Sequence, residues 1–462
     1  MKRYGEMGVT NKSKKKNAMY YIYTACRIFM GLLFIFSGYV KMVDPYGFAL
    51  KIDEQLISIG LGFIAPGATV FAFLFICAEF LLGWALLLDI QRKLTAWGLL
   101  LFMSFFTVLT FWMAYALDIV DLINRLFEKN FEIFVVTDCG CFGDFIKMTN
   151  HQTFYKNIVF FLFTIFILSQ RNKQKPQKWY YITQWLPLLL VGIFSLFVQI
   201  YCFRHEPWHD FRPWKIGNFI AGETYSQAPE VDFVFQYQNN VTNSLKEITM
   251  DELSLISEDS MQLADLENNY TYHDRVEKVI KVGINAPLAD FTITDLNNKN
   301  DIKNSIITSP DYTFIIFMHD VTKVTPEKFA TTKTLIQELE ANNIDYVVIT
   351  GSLQQEAEEF NKENNTNIYF YFCDITPLKT AIRNNPGVIL VKEGYVIDKW
   401  SFRDIPSIET FIVSIPKYDR KLEKYKIKNP PVLPNGMNIN DIIEGTDDEI
   451  SLSEETNEII TE

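Results

Sequence analysis

The chain has 462 residues and a formal net charge of -12, which argues against nucleic acid as a partner. Its six cysteines are too few to form the framework of a disulfide-rich protein. The composition divides the chain into two unlike halves. Residues 20–203 alternate long apolar stretches with short polar ones, whereas residues 204–462 have the composition of a soluble protein.

Five segments in the first half are apolar enough, and at about 20 residues long enough, to cross a bilayer. They are roughly Tyr20–Val40, Pro66–Leu88, Thr95–Leu117, Phe154–Ser169 and Tyr180–Phe203. The first is not followed by a small-residue cleavage site, so it is not a signal peptide. Basic residues cluster before the first span and after the second and fourth. This bias predicts a bacterial inner-membrane protein with a cytoplasmic tail at 1–19 and a periplasmic C-terminal half.

Two charged residues lie inside the predicted spans. Arg27 lies roughly 10 Å, and Glu79 roughly 14 Å, from the cytoplasmic ends of their helices at about 1.5 Å per residue. An unpaired charge at this depth costs several kcal/mol, so we expect the two side chains to pair. Such a pair is either a structural lock between two helices or a polar site for a quinone headgroup or a proton.

The loop after the third span carries the most informative chemistry. Residues 119–126 have apolar side chains at helical intervals and predict a short helix on the membrane surface. Cys139 and Cys141 follow, separated by one glycine. Two thiols so close can form a strained disulfide, and exposed strained disulfides are the labile and catalytic ones. They can also form half of a metal site or a structural staple, and the chemistry alone leaves all three open.

These stretches resemble the DoxX-like membrane proteins, and in particular the branch that contains the methylamine-utilisation protein MauE. The resemblance lies in RIFMGLLFIFSGYVKMVDP from Arg27, in AEFLLGWALLL around Glu79 and in DCGCFGD at 138–144, and it covers roughly residues 20–200. It implies a four-helix membrane core related to quinone-linked thiol oxidases of the DsbB and vitamin K epoxide reductase type. It also implies a role like that of MauE, in maturing a disulfide-rich secreted protein. Those oxidases carry two cysteine pairs, and this sequence offers one, since Cys26 and Cys77 are interpreted as packing residues.

Residues 204–282 are predicted to be a periplasmic connecting region. At its start, Trp208 and Trp214 accompany Arg204 and Arg212, which favours a segment lying at the membrane interface. Two strands are predicted further on, at Val231–Tyr237 and Lys278–Val282.

Residues 283–424 alternate strands and helices. The predicted strands are Thr313–Met318, Asp345–Thr350, Ile368–Phe372, Gly387–Lys392 and Tyr395–Trp400. This order resembles the thioredoxin fold of the TlpA-like branch, and the resemblance implies a cis bond before Pro386. Where that family carries Cys-x-x-Cys, this chain has Val321–Val324, which implies a redox-silent binding domain. Residues 425–462 are predicted to be a disordered acidic tail, because 441–462 hold nine acids and no basic residue.

The sequence therefore predicts an all-α membrane bundle of about five transmembrane helices with a four-helix core, followed by an α/β thioredoxin-like periplasmic domain. One functional hypothesis is a thiol-redox or maturation factor, with Cys139 and Cys141 as the working pair and envelope proteins as clients. The other is a non-catalytic scaffold whose soluble domain docks a periplasmic or envelope complex. A transporter is disfavoured, since the spans hold few polar residues and no obvious inverted repeat.

Overall fold

The computed structural model describes residues 4–127, 135–136, 146, 148–171, 181–226, 230–281, 283, 286–295, 297 and 299–431. Within these ranges the first half of the chain is helical. Its helices are α1 (Tyr4–Val43), α2 (Pro45–Ser58), α3 (Ala68–Leu87), α4 (Arg92–Phe127), α5 (Asn150–Gln170) and α6 (Tyr181–Arg204). Five of the helices in the described ranges, all except α2, are long and apolar enough to cross a membrane, which confirms the predicted spans. The protein is a multi-pass membrane protein.

Two elements differ from the prediction. The first span continues to Val43, and α2 begins directly after it because Asp44 accepts a hydrogen bond from the Gly47 backbone and Pro45 occupies the first turn. The predicted surface helix at 119–126 is not separate. It is the end of α4, which runs for 36 residues because neither glycine nor proline interrupts it after Gly98.

The bundle is built on close contact between α1 and α3. Gly83 permits this approach, since a Cβ placed there would lie 2.7 Å from the backbone nitrogen of Ile35. Helix α4 packs along α5, both also contact the α1–α3 pair, and α6 packs on α3. Gln55 of α2 donates a hydrogen bond to the sulfur of Met113 on α4. The ends of α1 and α4 and the start of α5 therefore lie at the same end of the bundle as α2.

The second half contains two sheets. The smaller is antiparallel, in the order β2-β1-β3, and is formed by β1 (Glu230–Asn239), β2 (Leu245–Thr249) and β3 (Tyr270–Lys281). Helices α7 (Met250–Glu258) and α8 (Ser260–Asn269) connect β2 to β3. Both strands predicted in this region are confirmed, and both are longer than expected.

The larger sheet has the order β6-β5-β4-β7-β8. Its strands are β4 (Thr313–Met318), β5 (Tyr346–Thr350), β6 (Phe370–Phe372), β7 (Gly387–Lys392) and β8 (Tyr395–Ser401). Strands β4, β5 and β6 are parallel, and β7 is antiparallel to both of its neighbours. The accompanying helices are α9 (Lys303–Ile307), α10 (Pro326–Ala341), α11 (Gln354–Asn364), α12 (Ile375–Ala381) and α13 (Ile408–Lys428). The Asn385–Pro386 bond is cis, as predicted.

The segment that follows α6 is part of the soluble core. Trp214, expected at the membrane interface, is fully buried, with its ring 4.9 Å from that of Phe291 and 5.9 Å from that of Phe317. Phe219 and Ile220 belong to the same buried cluster as the five-stranded sheet. The interface prediction was wrong for Trp214, because the chain from Trp214 to Ile220 folds into the core of the five-stranded sheet. Few residues therefore separate the last membrane helix from the soluble domain.

Candidate functional site

Cys139 and Cys141 lie outside the described residues, but the base of their loop is described. The side chain of Asn150, at the start of α5, donates hydrogen bonds to the carbonyl oxygens of Val136 (2.9 Å) and Met113 (3.2 Å). Val136 is itself buried. The connection between α4 and α5 is thus tied at its base to the end of the bundle that carries α2.

The four described cysteines are all free thiols. Cys26, Cys77 and Cys202 lie on membrane helices, and Cys373 is completely buried in the soluble domain. Burial raises the pKa of the Cys373 thiol to about 11. Since the thiolate is the reactive form, Cys373 is inert at neutral pH.

The expected pair between Arg27 and Glu79 does not form. Arg27 donates to the carbonyl oxygens of Leu86 and Leu87 at the far end of α3, and its Nε lies 3.7 Å from a carboxylate oxygen of Asp89. Glu79 binds Lys41 instead, at 2.7 Å. The prediction failed because the predicted first span ends at Val40, which excludes Lys41 from the helix. In the structure α1 continues to Val43 and includes Lys41. The antiparallel packing then brings Lys41, rather than Arg27, to the level of Glu79.

The Lys41–Glu79 pair is the polar centre of the bundle. Both side chains are buried, and the Lys41 ammonium also donates to the Ser37 hydroxyl at 3.0 Å. A cavity of about 40 Å³ lies beside the pair and is also lined by Asn157 of α5. Asn157 donates to the hydroxyl of Thr110 at 3.1 Å. A buried, hydrogen-bonded ion pair in a membrane helix bundle is a candidate functional site in its own right.

This cavity does not fit the quinone headgroup considered above. A cavity of roughly 150 Å³ is needed to hold benzene, whereas one water molecule occupies about 30 Å³ of liquid. The space beside Glu79 is therefore large enough for water and too small for an aromatic ring. Arg27, the other residue proposed for the quinone, is held by Asp89 and the end of α3 and does not line the cavity.

A second charged cluster joins the two halves of the molecule. It contains three acids and three bases from three parts of the chain: Asp44 between α1 and α2, Glu206, Asp210 and Arg212 after α6, and Arg383 and Lys399 in the soluble domain. We call these six residues the docking cluster. Most of its side chains are nearly excluded from solvent, and that of Arg383 is only 1% exposed.

Arg383 is at the centre of the docking cluster. Its Nη2 lies 2.8 Å from Asp44 Oδ2 and 3.0 Å from Asp210 Oδ1, while its Nε donates to Asp44 Oδ1 at 3.2 Å. Arg212 adds a second ion pair to Asp44 at 3.3 Å, and Lys399 binds Asp210 at 2.8 Å. The soluble domain is therefore held on the end of the bundle by bidentate, charge-assisted hydrogen bonds.

The pKa values reflect this arrangement. Burial alone would raise the pKa of the Asp44 carboxyl, but Arg383 and Arg212 outweigh it and lower that pKa to about 2. Burial would likewise raise the pKa of the Asp210 carboxyl, but the charges of Arg383 and Lys399 outweigh burial and lower that pKa. Both carboxylates stay ionised throughout the physiological range, and the cluster remains paired.

Residues 19–121 match the family model of the methylamine utilisation protein MauE. The match covers most of the α1–α4 region and includes the residues Arg27, Lys41, Asp44 and Glu79. It ends before Cys139 and does not include the soluble domain. No curated protein and no solved structure gives a significant match to the chain.

The docking cluster therefore connects the region that matches the MauE model, residues 19–121, to a part of the chain outside the match. The loop that precedes the cis bond reaches this matched region directly, since Arg383 binds Asp44. Asn384 of the same loop donates to Glu206, after α6, at 2.9 Å. Asn385 donates to the carbonyl oxygen of Asp320 at 2.8 Å. The segment after β4, which occupies the position of Cys-x-x-Cys in the thioredoxin-like family, is therefore adjacent to the docked loop.

His319, at the end of β4, is buried beside this loop. Burial, followed by the charge of Lys379, lowers the pKa of its imidazole to about 3, so the ring is neutral at physiological pH. A neutral imidazole in a segment without a thiol offers no dithiol chemistry. The side chains of Val321 and Val324 are buried in the core of the five-stranded sheet.

Sequence reasoning missed Lys41, Asp44, Asp210, Arg383 and Lys399. Asp44 carried a usable signal, since Asp-Pro is a typical helix opening. The partner of Asp44 carried none, because Arg383 is 339 residues away along the chain. His205 and His209, four residues apart in the segment after α6, bind Asp404 and Tyr39 respectively, at 2.8 and 3.1 Å.

Proposed function

We propose that this protein is an inner-membrane thiol-redox or maturation factor for envelope proteins, in which Cys139 and Cys141 exchange disulfides with client thiols. The observation that carries the proposal is the distribution of the cysteines. The other four are buried or within membrane helices and have no disulfide partner among the described residues. Cys139 and Cys141 alone are close neighbours in the sequence, separated by a single glycine.

Their chemistry suits exchange rather than stability. A disulfide between thiols one residue apart closes a small ring, and the strain makes it easier to reduce than a structural bridge. An attacking client thiolate forms a mixed disulfide with one cysteine sulfur and releases the other as a thiolate. A second client thiolate then attacks the client sulfur of the mixed disulfide, forms the client disulfide and releases the protein cysteine as a thiolate. The client leaves oxidised and the protein leaves with both thiols reduced. Each further cycle requires an oxidant, which we place in the class of partner oxidoreductases.

The position of the soluble domain supports an exchange site at the bundle end. The α4–α5 connection leaves the bundle at the end where Arg383 binds Asp44, so the loop and the soluble domain are on the same side of the membrane. The excess of basic residues at the opposite end supports assigning this side to the periplasm, where disulfides persist.

The soluble domain serves this proposal as a docked, redox-silent module of thioredoxin-like type. The strand order, the parallel β4–β5 pair, the antiparallel β7–β8 pair and the cis bond before Pro386 support that assignment. Val321–Val324 replaces the dithiol motif, and no thiol of the domain is exposed in its described part.

Trapping of mixed disulfides tests the exchange. Cys139→Ala and Cys141→Ala are expressed separately, with the double variant as the matched control. One single variant should accumulate covalent adducts with envelope proteins that are lost on reduction, and the double variant should accumulate none. Adducts in neither single variant would refute the exchange.

The scaffold hypothesis remains the second candidate, favoured by the docked loop at 383–386. In that case Cys139 and Cys141 only staple their loop. A redox titration of the purified protein separates the two. A midpoint above about -300 mV supports exchange, and one below that value, where structural disulfides lie, supports the staple.

A further inference from the structure

The smaller sheet ends in an edge strand, β3, whose outer side no other strand of the described chain covers. Because the order is β2-β1-β3, β1 is paired on both sides and β3 on one side only. Every residue from Thr271 to Ile280 is exposed, including the apolar side chains of Tyr272, Val276 and Ile280. A long edge strand of this kind presents unpaired backbone donors and acceptors to a second strand.

The middle of β3 is regular. Its pairing with β1 changes register at two places, between Glu230 and Val231 and between Gln236 and Tyr237. Between these irregularities, residues 274–279 pair without interruption with residues 236–231. This stretch is therefore straight enough to pair with another strand along its free edge.

The charges of this stretch are symmetric about Val276. Arg275 and Glu277 flank it directly, and Asp274 and Lys278 lie one position further out. If a second copy of β3 is placed antiparallel about a two-fold axis through Val276, Arg275 faces Glu277 of the second copy. Asp274 then faces Lys278 of the second copy. The two-fold axis generates each of these pairs twice. Four pairs of opposite charge therefore flank the apolar contact between the two Val276 side chains.

Charged side chains on an edge strand usually discourage pairing, because most registers bring like charges together. In this register the same charges favour pairing, since directly opposite residues of an antiparallel pair lie about 5 Å apart and opposite charges there are stabilising. We propose that two copies of this protein associate through β3, antiparallel and centred on Val276. The two three-stranded sheets then form one six-stranded sheet with an isologous interface. This association is independent of the thiol chemistry proposed above.

Cysteine cross-linking in membranes tests the register. Val276→Cys is introduced into the full chain, with Cys139 and Cys141 changed to Ser to remove their thiols. The two introduced thiols would face each other at about 5 Å and should cross-link with a short bis-maleimide reagent. Val279→Cys is the matched control, since it is similarly exposed on the same strand but about 20 Å from its symmetry mate at roughly 3.3 Å per residue. Equal yields at the two positions, or none at 276, would overturn the proposal.

Charge reversal tests the complementarity in the Val276→Cys background. Arg275→Glu places Glu opposite Glu277 of the second copy, and Glu277→Arg places Arg opposite Arg275. Each single reversal should abolish most of the cross-linking. The double reversal restores opposite charges across the two-fold and should restore the yield. Because the double variant also removes the contact of Arg275 with the Phe233 ring, at 4.5 Å, recovery cannot come from repair of that contact. Failure of the double variant to recover would refute this register.

Discussion

Asp44→Asn removes one carboxylate from the docking cluster while keeping the shape of the side chain. The cluster balances three acids against three bases, so the substitution leaves one buried positive charge without compensation. Breaking a buried ion pair on one side typically costs about 3–5 kcal/mol. Arg383 keeps its contact with Asp210, so we expect the lower value, about 3 kcal/mol, which shifts the docking equilibrium by about two orders of magnitude.

Double-mutant analysis in detergent measures this coupling. Thermal unfolding is recorded for Asp44→Asn, Arg383→Gln and the double variant, which restores neutrality and should lose less stability than the sum of the single changes. Hydrogen exchange of the backbone amides of residues 383–385 reports whether the loop leaves the bundle. Asp404→Asn is the matched control, because the Asp404–His205 pair is about one-third exposed and should contribute at most about 1 kcal/mol. If Asp44→Asn costs no more than this control, the cluster does not hold the domain.

The docking cluster also predicts how the stability of the docked state changes with pH. The folded-state pKa of Asp44 is about 2, below its ordinary value of 3.8, so its contribution is complete above about pH 4 and is lost as the pH falls from 4 to 2. The difference corresponds to roughly 2 kcal/mol from Asp44 alone. Protection of the backbone amides of residues 383–385, measured relative to the intrinsic exchange rate at each pH, should therefore fall in acid in the wild-type protein and fall much less in Asp44→Asn. An equal acid response in both proteins would contradict the assignment.

Three further outcomes are expected. Glu79→Gln should lower the stability of the bundle by a few kcal/mol, because it leaves Lys41 buried and unpaired. Adding Lys41→Met to the same chain should recover part of this loss. If it recovers none, Lys41 and Glu79 do not form an ion pair. A fragment of residues 211–431 should fold, whereas 283–431, which lacks Trp214, should not give a cooperative melt; equal melts would show that Trp214 is not a core residue. Cys373 should resist alkylation at pH 8 until the protein is denatured, because it is buried with a raised pKa, and rapid labelling would contradict its burial.

The sequence predicted most elements because each has a local cause. Strands β4 and β7 match their predicted bounds because buried strands are continuous apolar runs between polar turns. The contacts between the membrane helices and the soluble domain have no local sequence pattern that predicts them. Arg383 lies in a polar loop like many others, and only the fold brings it to Asp44. Within the membrane, the apolar pattern predicts which segments span the bilayer but not how the helices are offset along its normal. The predicted partner of Glu79 was therefore Arg27, whereas the observed partner is Lys41.

The length of chain between Asp44 and Arg383 has a consequence for biosynthesis. At about 5–20 residues per second, the 339 residues from Pro45 to Arg383 take roughly 20 to 70 seconds to synthesise. During that time the corner between α1 and α2 holds a carboxylate whose principal partner does not yet exist. The membrane half of a truncated chain never acquires it. The contact that holds the soluble domain on the first corner of the bundle can therefore form only after the chain through Arg383 has been synthesised.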